Sequence, residues 1–155
     1  MQPLYFVERT FKYPVERLWG AWTQSHELEK WYSPVFLRVI PGSATSEAEV
    51  GGRWAIAVDV SENGFNAYFW GTYSEVKLHK KLVHDLNYSQ DELEFALREP
   101  GAEAHRIEID FTNTEAGTVV RFSQFGEMEQ EQAEASREGM ESYFDNLNNY
   151  LENHE

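Results

Sequence analysis

The chain has 155 residues, with 27 Asp and Glu against 13 Lys and Arg, a formal net charge of −14 and no cysteine. That length points to a single domain, 1–155, and the missing cysteine excludes disulfides, thiolate metal sites and a cysteine nucleophile while fitting a reducing, cytoplasmic compartment. The charge argues against nucleic acid as a partner, since the closest basic grouping, Lys77, Lys80 and Lys81, is too sparse to hold a phosphate backbone.

In chain order, residues 4–11 are rich in β-formers and predict a first strand. Pro14 suits a first helical position, and Val15, Leu18, Trp19 and Trp22 follow at helical spacing, so 14–23 predicts a short amphipathic helix. Ser25 is the expected N-cap of a second helix, 25–32, with Leu28 and Trp31 on its apolar side and Ser33-Pro34 ending it. From 35 to 126 the period changes to two. Strands are expected at Val35 to Ile40, Glu47 to Val60, 66–76, 81–87, 104–113 and 117–125. A turn falls at Pro41-Gly42-Ser43 and a hairpin turn at Glu62-Asn63-Gly64. Gly51-Gly52 predicts a bulge or a close backbone approach where a strand bends. A short strand at 93–97 and a turn at Pro100-Gly101 are expected within 88–103. Over 129–152, Ala133, Ser136, Met140, Tyr143, Phe144, Leu147, Tyr150 and Leu151 recur at helical period. The longest apolar runs are too short for a membrane-spanning helix.

Alternation also assigns faces. His105, Ile107, Ile109 and Phe111 share one side of their strand. Thr118, Val120, Phe122 and Gln124 share one side of the next, and His84 falls with Leu82 and Leu86. Residues 66–76 are aromatic on both sides: Tyr68 and Trp70 on one, Phe69 and Tyr73 on the other. Either a homodimer contact or a loop folded over the strand would cover both. A run of antiparallel strands closed by one long helix predicts an α+β fold, a curved antiparallel sheet wrapped around the C-terminal helix.

Several chemistries lack their motifs. The five histidines show no zinc spacing, and the acidic stretch 127–134 lacks the central glycine of a calcium loop. There is no Gly-x-Ser-x-Gly, and Gly51-Gly52 lacks the lysine and helix of a phosphate loop. No metal or other cofactor is expected. Residues 127–155 carry nine acidic side chains and one arginine, Arg137. They predict a solvated face, or an electronegative surface for a basic protein partner.

The run Phe11-Lys12-Tyr13-Pro14-Val15-Glu16-Arg17-Leu18-Trp19-Gly20-Ala21-Trp22-Thr23 is similar to the opening of the Hsp90-ATPase-activator-homologue-like proteins, a branch of the START-like, helix-grip superfamily. Gly51-Gly52-Arg53-Trp54, Gly71-Thr72-Tyr73-Ser74-Glu75-Val76, Gly117-Thr118-Val119-Val120-Arg121-Phe122 and the tail from Gly139-Met140 to Leu151 resemble its later blocks, in the family's order. The resemblance implies a sheet of about seven strands gripping the last helix, with a cavity between them. The family often has Trp where this chain has Met140, which implies a reshaped cavity wall. On this frame the expected function is non-enzymatic binding of a small hydrophobic or aromatic molecule. The wall candidates are Trp54, Trp70, His84, His105, Gln124, Met140, Tyr143 and Phe144, with Trp31 closing one end. Two alternatives stay open: a stand-alone co-chaperone partnering an Hsp90-type ATPase, and a cyclase- or hydratase-like enzyme using a cavity histidine.

Overall fold

The computed structural model describes residues 2–101 and 103–154. Strand β1 (Tyr5–Phe11) leads into helices α1 (Val15–Thr23) and α2 (Ser25–Trp31). Strands β2 (Arg38–Val39), β3 (Thr45–Ser46), β4 (Arg53–Val60), β5 (Phe65–Lys77) and β6 (Lys81–Ser89) follow. Helix α3 (Glu92–Leu97) interrupts the series before β7 (His105–Thr114), β8 (Gly117–Phe125) and the terminal helix α4 (Gln130–Asn153). The strands form one eight-stranded sheet in the order β1-β8-β7-β6-β5-β4-β2, with β3 also paired to β4. Every pairing is antiparallel. The architecture is α+β, a curved sheet around α4.

Local chemistry accounts for most element ends. The β4–β5 hairpin closes through Gly64, whose φ of 91° lies in the left-handed region that glycine occupies without steric cost. Gly52 needs its missing side chain for another reason: a Cβ there would lie 1.9 Å from the Glu47 carbonyl oxygen. The chain doubles back on itself at that bend before β4 begins.

Four expectations are corrected. Pro14 takes the cap position rather than the first helical one: its ψ is 157°, and its carbonyl accepts the Arg17 and Leu18 N–H groups. Proline's fixed φ suits both positions, so only the ψ separates them. Ser25 is the first residue of α2, not its cap. Gln24 both ends α1 and caps α2, while the Ser25 hydroxyl accepts the Ser46 N–H at 2.9 Å and ties α2 to β3. The strands expected over 35–40 and 47–60 shrink to β2 and β4, and the short β3 falls between them at Thr45-Ser46, outside both ranges, because the intervening chain is spent on tight turns. The strand expected at 93–97 is helix α3. The Asp91 carboxylate caps it by accepting the Leu93 N–H at 2.8 Å. Leu93, Phe95 and Leu97 alternate in sequence, but only Phe95 packs on the sheet, and both leucines are exposed.

The inner face of the sheet and α4 make the main core, with Leu18, Leu28, Trp31, Ile56, Ile107, Phe144 and Leu147 all at 0% exposure or close to it. The last four turns of α4 bury Phe144, Leu147, Tyr150 and Leu151, whereas Ala133 is the sole buried residue described in the stretch before Met140. A second cluster sits on the outer face, where Ala55, Ala57, Tyr68 and Trp70 pack against Ile40 and Phe95. The aromatic surplus on β5 is therefore covered within the chain, by α3 and the loop after β2. Among the described residues, no helix is long and apolar enough to cross a membrane.

Candidate functional site

Between α4 and the sheet lies a cavity of about 1100 Å³ that is open to solvent on one side. Its interior end is aromatic: Tyr5, Tyr32, Trp54, Phe69, Phe122 and Tyr143 all line it. Tyr32 is the hub, with its ring centroid 5.6 Å from Trp54 and 5.1 Å from Tyr143, both edge-on. Gly139 and Met140 line it from α4, and Tyr88 and Leu97 are exposed residues of its wall. The charged side chains on its wall are Glu94, Glu99 and Glu103, all exposed; no lysine or arginine lines it among the described residues.

One polar chain crosses this surface. The Tyr5 hydroxyl donates to Gln124 Oε1 at 2.5 Å, and Gln124 Nε2 lies 2.7 Å from His105 Nδ1. Because the Gln124 amide nitrogen can only donate, Nδ1 accepts and the ring proton sits on Nε2, which donates to the Glu127 carbonyl at 3.1 Å. Both ring nitrogens of His105 are thus engaged within the protein. Burial raises the Tyr5, Tyr32 and Tyr143 hydroxyls well above the ordinary phenol range. The neighbouring tyrosines add to the rise at Tyr5 and Tyr32, because a phenolate on one opposes charge on the next. Tyr73, beneath them, is pushed up to about 12 by burial, partly offset by its bond to the Ser46 hydroxyl. The site favours neutral groups.

The expected wall residues divide. Trp54, Trp70, His105, Gln124, Met140 and Tyr143 lie on the cavity. Trp31, His84 and Phe144 do not. Trp31 is fully buried, with its indole N–H on the Ala21 carbonyl at 2.9 Å, and its neighbour Tyr32 takes the place at the cavity end. Phe144 packs between Phe11 and Trp22 in the core. His84 stacks on Trp54 at 4.2 Å and meets the edge of Tyr73. Its Nδ1–H donates to the Asp85 carbonyl at 2.8 Å, and burial lowers its pKa to about 4. Trp70 reaches the cavity from the outer face, since it pairs with Ala55 rather than with the inward Trp54 and Ile56, and its indole donates to the Glu99 carbonyl. Tyr5, Tyr32, Phe69 and Gly139 were not anticipated. Tyr5 shares the face of Val7 and Phe11 and was legible by alternation; Tyr32 lies four residues after Leu28 within the expected helix 25–32, so its inward side was legible but not its place on the cavity. Among the described residues no group of three or more His, Asp or Glu is placed to hold a metal ion.

Solved structures share this architecture. The AHSA1 protein of Silicibacter pomeroyi superposes with a TM-score of 0.80 at 18% identity, over 97% of this chain and 99% of that one. A protein from Arthrobacter aurescens gives 0.77 at 23% identity, over 96% and 85%. The AHSA1-like protein of Aeromonas hydrophila gives 0.73 at 18% identity, over 96% and 91%. At these identities the likeness establishes the fold. No curated protein matches the sequence significantly. The family described as Activator of Hsp90 ATPase homolog 1-like protein matches residues 12–152, nearly the whole length, with the motifs and the gripped helix in the order described above. The chain belongs to that family.

Proposed function

We propose that this chain is a non-enzymatic binding protein that takes a small hydrophobic or aromatic molecule between its sheet and its terminal helix. The observation that carries this reading is the cavity of about 1100 Å³, walled by aromatics and open to solvent on one side. Its size lies just above the usual range for small-molecule pockets, about 300–1,000 Å³, and an apolar wall with a few convergent polar groups is their common composition. Catalysis has less support. A cavity histidine acting as acid or base needs a free ring nitrogen. Both nitrogens of His105 are engaged, and His84 lies behind Trp54, off the wall.

The test is thermal unfolding with a panel of aromatic, lipid and polyketide-like compounds. A ligand that binds only the folded state stabilises it by about 2.7 kcal/mol at a hundredfold excess over Kd, and so raises the midpoint. A panel with no active member overturns the reading. Stimulation of an Hsp90-type ATPase by the purified chain, unchanged when the cavity is filled by mutation, would favour the co-chaperone reading instead.

A further inference from the structure

Three tyrosines, Tyr5, Tyr32 and Tyr143, gather at the interior end of the cavity with Tyr73 buried near them, and their hydroxyls are not equivalent. Tyr5 donates to Gln124, and Tyr73 is bonded to Ser46. Among the described residues, the Tyr32 and Tyr143 hydroxyls have no hydrogen-bond partner in the protein. Neither is among the buried side-chain atoms left without a partner, which are Trp22 Nε1 and Asn66 Oδ1. Both oxygens therefore reach accessible space, although Tyr32 as a whole is only 5% exposed, and the space that both residues border is the cavity. Their rings lie 5.1 Å apart, edge to face, and the Tyr143 hydroxyl is near enough to Tyr32 to raise it, so the two side chains stand together on the wall.

A hydroxyl at the end of an aromatic-walled cavity offers a donor, and leaving it unanswered when an apolar molecule displaces water has a cost. The occupant that answers it carries an oxygen acceptor at its leading end. That oxygen is uncharged. No lysine or arginine lines the cavity among the described residues, both His105 ring nitrogens are already bonded within the protein, and the exposed part of the wall carries Glu94, Glu99 and Glu103. A carboxylate or phosphate would lose its hydration, find no counter-ion inside and meet carboxylates on the exposed wall.

We infer that the cavity selects uncharged aromatic or alicyclic molecules bearing a hydroxyl or carbonyl oxygen, bound oxygen-first against Tyr32 and Tyr143. The inference rests on the cavity-binding reading and narrows it to a ligand class and an orientation. It makes Tyr32 and Tyr143 the selectivity residues.

A matched set of probes tests it: biphenyl, 4-phenylphenol and biphenyl-4-carboxylate, titrated calorimetrically at neutral pH into the wild type and into Tyr32→Phe and Tyr143→Phe. The expected order is 4-phenylphenol tightest, biphenyl about tenfold weaker, as one net hydrogen bond implies, and the carboxylate weakest. In either variant the gap between the phenol and biphenyl shrinks, because the phenol loses its partner and biphenyl no longer leaves that hydroxyl unanswered. Both variants remove a hydroxyl with no protein partner, so both keep the wild-type fold and thermal midpoint, which circular dichroism checks. If biphenyl binds as tightly as the phenol, or the carboxylate binds best, the tyrosine inference is overturned and the cavity reading stands. If none of the three binds, both fall together.

Discussion

His84 is the residue whose chemistry the fold alters most. Enclosed between Trp54 and Tyr73 and bonded to a backbone carbonyl, it stays neutral down to about pH 4, against an ordinary value of 6.5. The unfolded chain takes up a proton near pH 6.5 and the folded chain does not. Stability is therefore full above pH 6.5, falls as pH drops from 6.5 towards 4, and stops falling on this account once the folded histidine also protonates. The difference corresponds to about 3 kcal/mol. His84→Phe keeps a ring for Trp54 to stack on and removes the titration. Urea unfolding of both proteins from pH 7 to pH 4 should show the wild type losing about 3 kcal/mol more than the variant. Parallel pH profiles would mean that the ring is hydrated in the folded state. The histidine's inward position was legible from the alternation of Leu82, His84 and Leu86; that it packs behind the cavity wall was not, because period two names a face and says nothing of depth.

The division of α4 is the decisive feature at the scale of elements. Its apolar stripe runs the full length of the helix, yet burial is concentrated from Met140 onward, and the preceding turns roof the cavity. Gly139 marks the boundary. It lies within the helix and on the cavity wall, and a Cβ built there meets no atom within 4 Å. Glycine costs a helix interior about 1 kcal/mol relative to alanine, so this position forgoes stability and leaves room. Gly139→Ala should raise stability by about 0.5–1 kcal/mol in chemical denaturation. Gly139→Leu should keep the fold, reduce the cavity and weaken 4-phenylphenol binding. A Gly139→Leu protein that binds as well as wild type would place the occupant elsewhere. Helix α3 shows the opposite limit of pattern reading. Leu93, Phe95 and Leu97 alternate like a strand, but Asp91 caps a helix, and its single inward aromatic stacks on Tyr68 at 4.9 Å. A local capping bond and one contact outweighed a three-residue periodicity.

The whole molecule carries −14, much of it on residues 127–155. Some of that charge is answered by ion pairs along α4: Arg9 reaches Asp145 at 2.7 Å and Glu141 at 2.9 Å, and Arg137 pairs with Glu134 at 2.5 Å. These pairs are partly exposed and each is worth about 0–1 kcal/mol, whereas the uncompensated carboxylates repel one another across the whole surface. Self-repulsion should win. The unfolding midpoint is expected to rise as sodium chloride is increased from about 0.05 to about 0.5 M, which shortens the Debye length from above 10 Å to a few Å. A midpoint that falls would show that the ion pairs outweigh the repulsion. The same field bears on ligands, since an anion approaching the cavity meets both the net charge and the three glutamates on its exposed wall.

The sequence by itself determined the α+β class, the strand run, the terminal helix and most inward faces, because these rest on short-range periodicity and turn chemistry that each segment carries alone. It also marked Trp54, His105, Gln124, Met140 and Tyr143 as inward-facing. Tertiary structure decided which inward residues meet space and which meet other side chains. Trp31, His84 and Phe144 have the same patterning as residues on the cavity wall, yet Trp31 and His84 are enclosed by the preceding elements α1 and β5, and Phe144 by β1 at the other end of the chain. Tyr5 and Tyr32, 27 positions apart, come together with Tyr143 only when the sheet curls under α4. A void is a relation among distant elements, and no local pattern encodes it.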